Sequence, residues 1–177
     1  MLEIEPYDRQ AAVDYAHRWA YRRNPKYYDY EGLGGDCTNF ASQCLYAGTG
    51  IMNFTPIYGW YYRSSNDKAP AWTGVPYFFN FTTRREESPG PFGIQVPVEQ
   101  VEPGDFVQLR FPGRERFGHT PVIVEVGEPP TLGNILVAAH SQDADYRPLD
   151  TYTVQEMRFI HILGAYKPAE NDEPQSV

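Results

Sequence analysis

Gly34-Gly35-Asp36-Cys37-Thr38-Asn39-Phe40-Ala41-Ser42-Gln43 is the stretch in which an irregular run of chain turns into a helix. Two glycines lead to Asp36, a residue type that caps helix N-termini, and beyond it Cys37, Phe40, Ala41, Cys44, Leu45 and Gly48 recur at helical spacing. The spacing predicts a helix that opens at Cys37. A thiol at that position faces unpaired backbone N–H groups and the positive end of the helix dipole, both of which favour thiolate, the nucleophilic form. Free cysteine is also among the most buried residue types. The local sequence leaves both readings of Cys37 open, nucleophile and structural thiol.

Upstream, residues 8–23 read as a helix capped by Asp8, with an apolar face of Ala12, Val13, Ala16, Trp19 and Ala20 and with Pro25 forbidding continuation. Downstream, Gly48 and Gly50 close the cysteine helix. Residues 51–72, rich in Pro, Gly and aromatic residues, read as an ordered loop, and a shorter helix is expected over 75–87. After Ser88-Pro89-Gly90-Pro91 the period changes. Runs 106–111, 120–126, 135–140 and 158–166 are short, rich in Val, Ile and aromatic residues, and separated by turn signals, which predicts an antiparallel sheet. Helices first and strands afterwards give an α+β fold, N-terminal helices packed on a C-terminal antiparallel β-sheet. Residues 1–167 are read as one domain, and the polar, acidic run 168–177 as a disordered tail.

Composition sets limits. The 177 residues carry a formal charge of −8, which excludes a general nucleic-acid binder, since phosphate recognition needs clustered Lys and Arg. No apolar run approaches the ~20 residues of a membrane span, and no leader pattern precedes Tyr7, so no membrane or targeting segment is expected and the compartment stays open. The two cysteines, Cys37 and Cys44, lie about 10.5 Å apart along a helix axis, too far for a disulfide. Cys37, His119, His140 and His161 are ligand types, but no pair has the short spacing of a zinc motif, so neither metal nor other cofactor is expected.

Among the four histidines, His17 falls within the first helix and His161 within a strand. His119 heads the strand Thr120-Pro121-Val122-Ile123-Val124 and His140 ends the strand Ile135-Leu136-Val137-Ala138-Ala139. Antiparallel neighbours bring the start of one strand beside the end of the next, so both histidines fall at one edge of the sheet. A thiol nucleophile requires a base within hydrogen-bond reach, itself oriented by a third polar group.

These elements resemble the Putative amidase domain family of bacteria, within the papain-like clan of NlpC-type peptidases and CHAP amidases. The resemblance rests on Gly35 to Gln43, Trp60-Tyr61-Tyr62, Pro103-Gly104-Asp105-Phe106-Val107, Gly118-His119 and Ala139-His140-Ser141-Gln142-Asp143, and spans residues 8–166. It implies a papain-like fold, Cys37 as nucleophile, His119 as general base and then acid, and His140 as the third residue, with Asp143 as its competitor. Asp105 is assigned to a turn. The Cys37 backbone N–H is the expected oxyanion donor, with Tyr27, Tyr28 or Tyr30 as a second. Trp60, Tyr61, Tyr62 and Trp72 are expected to line the substrate groove, the other reading being that they fill the core beneath the loop.

The activity this implies is cleavage of an amide through a thioester, with a peptide or peptidoglycan-like amide as substrate. Transfer of the acyl group to an amine, and a catalytically silent peptide- or glycan-binding module on the same fold, are the alternatives.

Overall fold

A computed structural model of the chain describes residues 1–170. It is an α+β structure in which helices cover one face of a seven-stranded antiparallel sheet. The elements are β1 (Leu2–Glu5), α1 (Arg9–Trp19), α2 (Cys37–Thr49), a hairpin of β2 (Tyr62–Ser64) and β3 (Asp67–Lys68), α3 (Pro70–Thr73), α4 (Val75–Thr82), β4 (Gly90–Val96), β5 (Phe106–Arg110), β6 (Val122–Val126), β7 (Ile135–Ala139), β8 (Ala144–Pro148) and β9 (Glu156–Pro168).

The long strand β9 organises the sheet. One edge pairs with β4, from Gly90 opposite Tyr166 to Val96 opposite Phe159. Its other edge takes β5 along Glu156–Ile160 and β1 along Ala165–Pro168. Between those two partners Ile162 has no strand to bond, and side chains take that place. Asp105 accepts the Ile162 N–H (3.0 Å) and Arg9 donates to the Ile162 carbonyl (2.5 Å). Asp105, fully buried, also accepts from Arg9 Nη1 (2.7 Å), the Glu102 N–H (2.8 Å) and His161 Nδ1 (2.7 Å). The residue read as turn chemistry is thus the bolt joining α1, β5 and β9.

Strand alternation divides the core. Phe106, Val122, Val124, Ala138, Ile160 and Ile162 face the helices, with Phe40, Ala41, Cys44, Leu45, Trp60, Trp72 and Phe78. Val107, Leu109, Ile123, Ile135, Val137, Leu149 and Phe159 form the core on the opposite face. Helix α2 is buried on every side from Cys37 to Leu45, its polar residues included. Each has a partner: Thr38 bonds Thr120 (3.0 Å), Asn39 Nδ2 donates to the Tyr28 carbonyl (2.9 Å), Ser42 donates to the Trp72 carbonyl (2.8 Å) and Gln43 accepts from Tyr15 (2.5 Å).

Several boundaries differ from expectation. Asp8 caps α1 through Ala11 N–H (3.0 Å) as predicted, but the helix stops at Trp19, whose carbonyl accepts from Arg22 N–H (3.2 Å) and from His140 Nε2 (2.8 Å). Helix α4 ends at Thr82, not near residue 87, because Arg84 turns back to bond the carbonyls of Phe81 (2.9 Å), Ser88 (2.6 Å) and Pro91 (2.6 Å). Strand β9 runs to Pro168, which pairs with Leu2, and Ala169 N–H bonds the Met1 carbonyl (3.0 Å), so the first residues of the expected tail are ordered. The remainder, 171–177, lies outside the described residues. No helix among the described residues is long and apolar enough to cross a membrane.

Candidate active site

Cys37 is the first residue of α2, reached through Gly34 (φ 96°) and Gly35 (φ 107°), a left-handed approach that residues with a Cβ rarely adopt. Asp36 occupies the N-cap position, yet its carboxylate makes no cap hydrogen bond. It accepts instead from Tyr30 N–H (2.8 Å), Asn39 Nδ2 (2.9 Å) and His140 Nδ1 (2.5 Å). The loop before the cysteine is therefore tied to the end of β7, and the first amides of α2 keep their orphan N–H groups.

One residue further on, Thr38 Oγ1 meets Thr120 Oγ1 at 3.0 Å, in the buried seam between α2 and the strand region. Since Thr38 follows Cys37 and Thr120 follows His119, this clasp ties together the two chain segments that carry the cysteine and the histidine. The Thr120 N–H is directed at the Cys37 sulfur, which also contacts Thr38 Oγ1 at 3.7 Å. The Cys37 thiol makes no hydrogen bond to His119, and the His119 ring has no hydrogen-bond partner among the described residues, lying between the rings of Phe111 (6.2 Å) and Tyr152 (5.8 Å).

Electrostatics define the resting state. Burial pushes the Cys37 thiol up, against the Thr38 and Thr120 hydrogen bonds, and the neighbouring Asp36 carboxylate adds to the rise. Cys44, wholly inside the core, is pushed up further by burial. Burial, helped by the Arg147 charge, holds His119 down at about 4. At neutral pH the Cys37 thiol is thus neutral, and the His119 imidazole is neutral and able to accept a proton. The depressed value has a consequence for stability. Above pH 6.5 the ring is neutral in folded and unfolded chains alike; between 6.5 and 4 the unfolded chain takes a proton that the folded chain refuses, so stability falls as pH falls; below 4 the loss is complete. Chemical denaturation at pH 7 and pH 4 should show the wild type losing about 3 kcal/mol more than a His119→Gln variant across that interval. Equal losses would mean that His119 titrates normally.

His140 shares an end of the sheet with His119, as the antiparallel pairing of Val122 with Ala138 requires, but it does not reach that ring. Its Nδ1 is on Asp36, its Nε2 donates to the Trp19 carbonyl and its ring stacks on Phe40 at 4.0 Å, so both nitrogens face acceptors and are engaged. The expected orienting bond to His119 is absent because Asp36 takes the His140 ring. Asp143, the competitor, is bound bidentately by Arg23 (2.9 and 3.0 Å) after the turn through Ser141 and Gln142, both at positive φ. His161 belongs to the Asp105 cluster on another part of the sheet. Among the described residues no three His, Cys, Asp or Glu side chains converge as a metal set.

The aromatic run is a correction in its larger members. Trp60 and Trp72 are fully buried and stack on each other at 4.6 Å, beneath the loop and not along a groove. Their burial is possible because the polar side of α2 satisfies both indoles: Trp60 Nε1 donates to Ser42 Oγ (3.0 Å) and Trp72 Nε1 to Asn39 Oδ1 (2.9 Å). Tyr62 is half-buried against Trp72 and accepts from Tyr28 N–H (2.8 Å), and half-buried Tyr61 packs with Phe54 and Arg63. Of the upstream tyrosines, Tyr30 donates its hydroxyl to the Ser65 carbonyl (2.9 Å).

Tyr152 is the site residue that the sequence reading missed. Its ring lies beside His119, the Arg147 guanidinium covers its face at 3.6 Å from the centroid, and its buried hydroxyl has no hydrogen-bond partner. It follows a short helical turn, Leu149–Thr151, after β8, a strand that carries no alternating apolar pattern.

Residues 6–163 match the family described as Putative amidase domain. The chain is also 34% identical over 167 residues to the uncharacterized protein YhbB of Bacillus subtilis strain 168, covering 89% of this chain and 50% of that protein, so it spans about half the length of this relative. No solved structure matches the chain.

Proposed function

Because this chain belongs to the Putative amidase domain family, we propose that it hydrolyses an amide bond by a cysteine mechanism, with Cys37 as nucleophile and His119 as base. The observation that carries the reading is the Thr38–Thr120 clasp, which ties the start of the cysteine helix to the residue after His119, on the approach to β6. The arrangement supports the papain-like reading of the fold, in which a buried helix presents its first residue to the head of an antiparallel strand.

The chemistry follows from the resting state. Neutral His119 takes the Cys37 proton as the sulfur adds to the substrate carbonyl. The C–S bond forms, the carbonyl π pair moves to oxygen, and collapse of this adduct breaks the C–N bond as His119 returns the proton to the leaving amine. Water, deprotonated by His119, then cleaves the thioester. The Thr120 N–H and the α2 terminus offset the charge on sulfur while it lasts. His140 and Asp36 act as positioning residues that hold the loop carrying Cys37, in place of the third-residue role expected for His140. The substrate class proposed is a peptide of the bacterial cell wall, in line with the clan that the sequence resembles.

Acid quenching during turnover of soluble cell-wall peptides, followed by peptide mapping, should find the acyl group on Cys37. An acyl group on Cys44, or amide cleavage that persists in Cys37→Ala, would overturn the mechanism. Cleavage of simple peptide amides but not of cell-wall peptides would remove only the substrate assignment.

A further inference from the structure

Cys37 N–H is the first oxyanion donor of the cysteine mechanism, and the upstream tyrosines are engaged elsewhere: Tyr30 donates its hydroxyl to the Ser65 carbonyl, the Tyr27 ring packs on Tyr62 and Trp72, and the Tyr28 ring packs edge-on against Tyr30. Tyr152 lies on the other side of the site, on the segment after β8. Among the described residues only two buried side-chain polar atoms lack a hydrogen bond, Arg23 Nε and the Tyr152 hydroxyl, and Arg23 Nε has the carboxylate of Asp29 at 3.3 Å. The phenol has only the Arg147 guanidinium close by, a donor that cannot take its proton, and a buried hydroxyl without an acceptor is costly to keep.

Its surroundings show what it faces. The ring is 5.8 Å from that of His119, tilted by 55°, and the phenol is near enough to Cys37 for a charge on the sulfur to act on it. Arg147 stands over the ring, 3.6 Å from its centroid, anchored by its bonds to Thr151 Oγ1 (2.8 Å) and the Thr151 carbonyl (3.3 Å), and a guanidinium offers the Tyr152 O–H no acceptor. Burial keeps the phenol protonated at neutral pH, against the pull of the Arg147 charge. It is a donor without an acceptor, beside the ring of His119.

Resting on the cysteine mechanism proposed above, we infer that the Tyr152 hydroxyl is a catalytic residue, donating to the oxyanion formed when Cys37 adds to the substrate carbonyl. Tyr152 keeps its proton throughout; the thiol proton goes to His119 and from there to the leaving group. Arg147, held on the ring, adds a fixed positive charge behind the donor. Charge that appears only in the transition state is where a preorganised donor has its largest effect.

Tyr152→Phe tests this, since it preserves the ring and its contact with Arg147. Two reagents separate the roles. p-Nitrophenyl acetate acylates the thiol through a tetrahedral oxyanion, whereas iodoacetamide alkylates it at a saturated carbon and forms none. The expected result is acylation slowed about 100-fold with the alkylation rate unchanged, and a melting temperature equal to or above that of the wild type, because an unpaired buried hydroxyl has been removed. A residue with a purely structural role would lower the melting temperature. Acylation at the wild-type rate, or acylation and alkylation slowed equally, would overturn the inference. If the wild type releases nitrophenolate no faster than Cys37→Ala, the nucleophile itself is misassigned, and the inference falls with the mechanism on which it rests.

Discussion

Replacing His119 with Ala should lower kcat for amide cleavage by about 10⁴-fold, and Cys37→Ala should bring it to background, with both variants folded by circular dichroism. The size of the effect follows from the protonation state of the site. Burial raises the Cys37 thiol, so the reactive thiolate is scarce until a base removes the proton. His119, at about 4, is that base in its free form across the neutral range. Nucleophile and base work as one unit, so the double variant should be no slower than Cys37→Ala alone. The depressed histidine also places the acid limb of kcat/KM near pH 4, well below the usual imidazole range. A His119→Ala enzyme within tenfold of the wild type would exclude His119 as the base.

His140→Ala should act through stability. The Asp36–His140 pair is almost completely excluded from solvent, and removal of the imidazole leaves a buried carboxylate next to the site. Breaking such a pair costs about 3–5 kcal/mol, equivalent to a fall in melting temperature of roughly 10 °C for a chain of this size. Phe40 would also lose the ring stacked on it. A group that oriented His119 would behave in the opposite way, slowing turnover at unchanged stability. Thermal and urea unfolding, read alongside kcat, distinguish the two roles. In a cycle with Asp36→Ala, the double variant should be less destabilised than the sum of the singles, because neither partner is then left buried without the other.

The features legible in the sequence were those with a period or a local signal. The start of α2 at Cys37 and the antiparallel order of β5, β6 and β7 followed from spacing and turn residues, whereas β6 opens at Val122 and not at Thr120, leaving His119 on an isolated bridge to Leu109. Strand β4 was hidden by Gly90, Pro91 and Gly93, which read as breakers; among the described residues its strand partner is β9 alone, and proline is tolerated on such an edge. The partner of His140 was hidden by distance, since Asp36 lies 104 residues away in the chain and had a local role available as a cap. Trp60 and Trp72 were expected at the groove, with the core as the other reading; what settles them in the core is a pair of indole acceptors, Ser42 and Asn39, 18 and 33 residues away in the chain, which leave no local signal. Tyr152 had no signal at all: its significance lies in a hydroxyl that bonds nothing, which no residue pattern records.

The polar side of α2 has a consequence for the aim of the sulfur. A cylinder sheathed only in aliphatic groups can turn or slide between packings of similar energy, and each residue of slippage rotates it by about 100°. Thr38, Asn39, Ser42 and Gln43 remove that freedom, because each engages a partner on a different neighbour: Thr120, the Tyr28 carbonyl with the Trp72 indole, the Trp72 carbonyl with the Trp60 indole, and Tyr15. They act like the wards of a key, indexing the cylinder around and along its axis at once. The direction of the Cys37 thiol is therefore written partly in residues that never approach a substrate. Conservative aliphatic replacements there would keep the volume of the core and blur the pointing of the nucleophile.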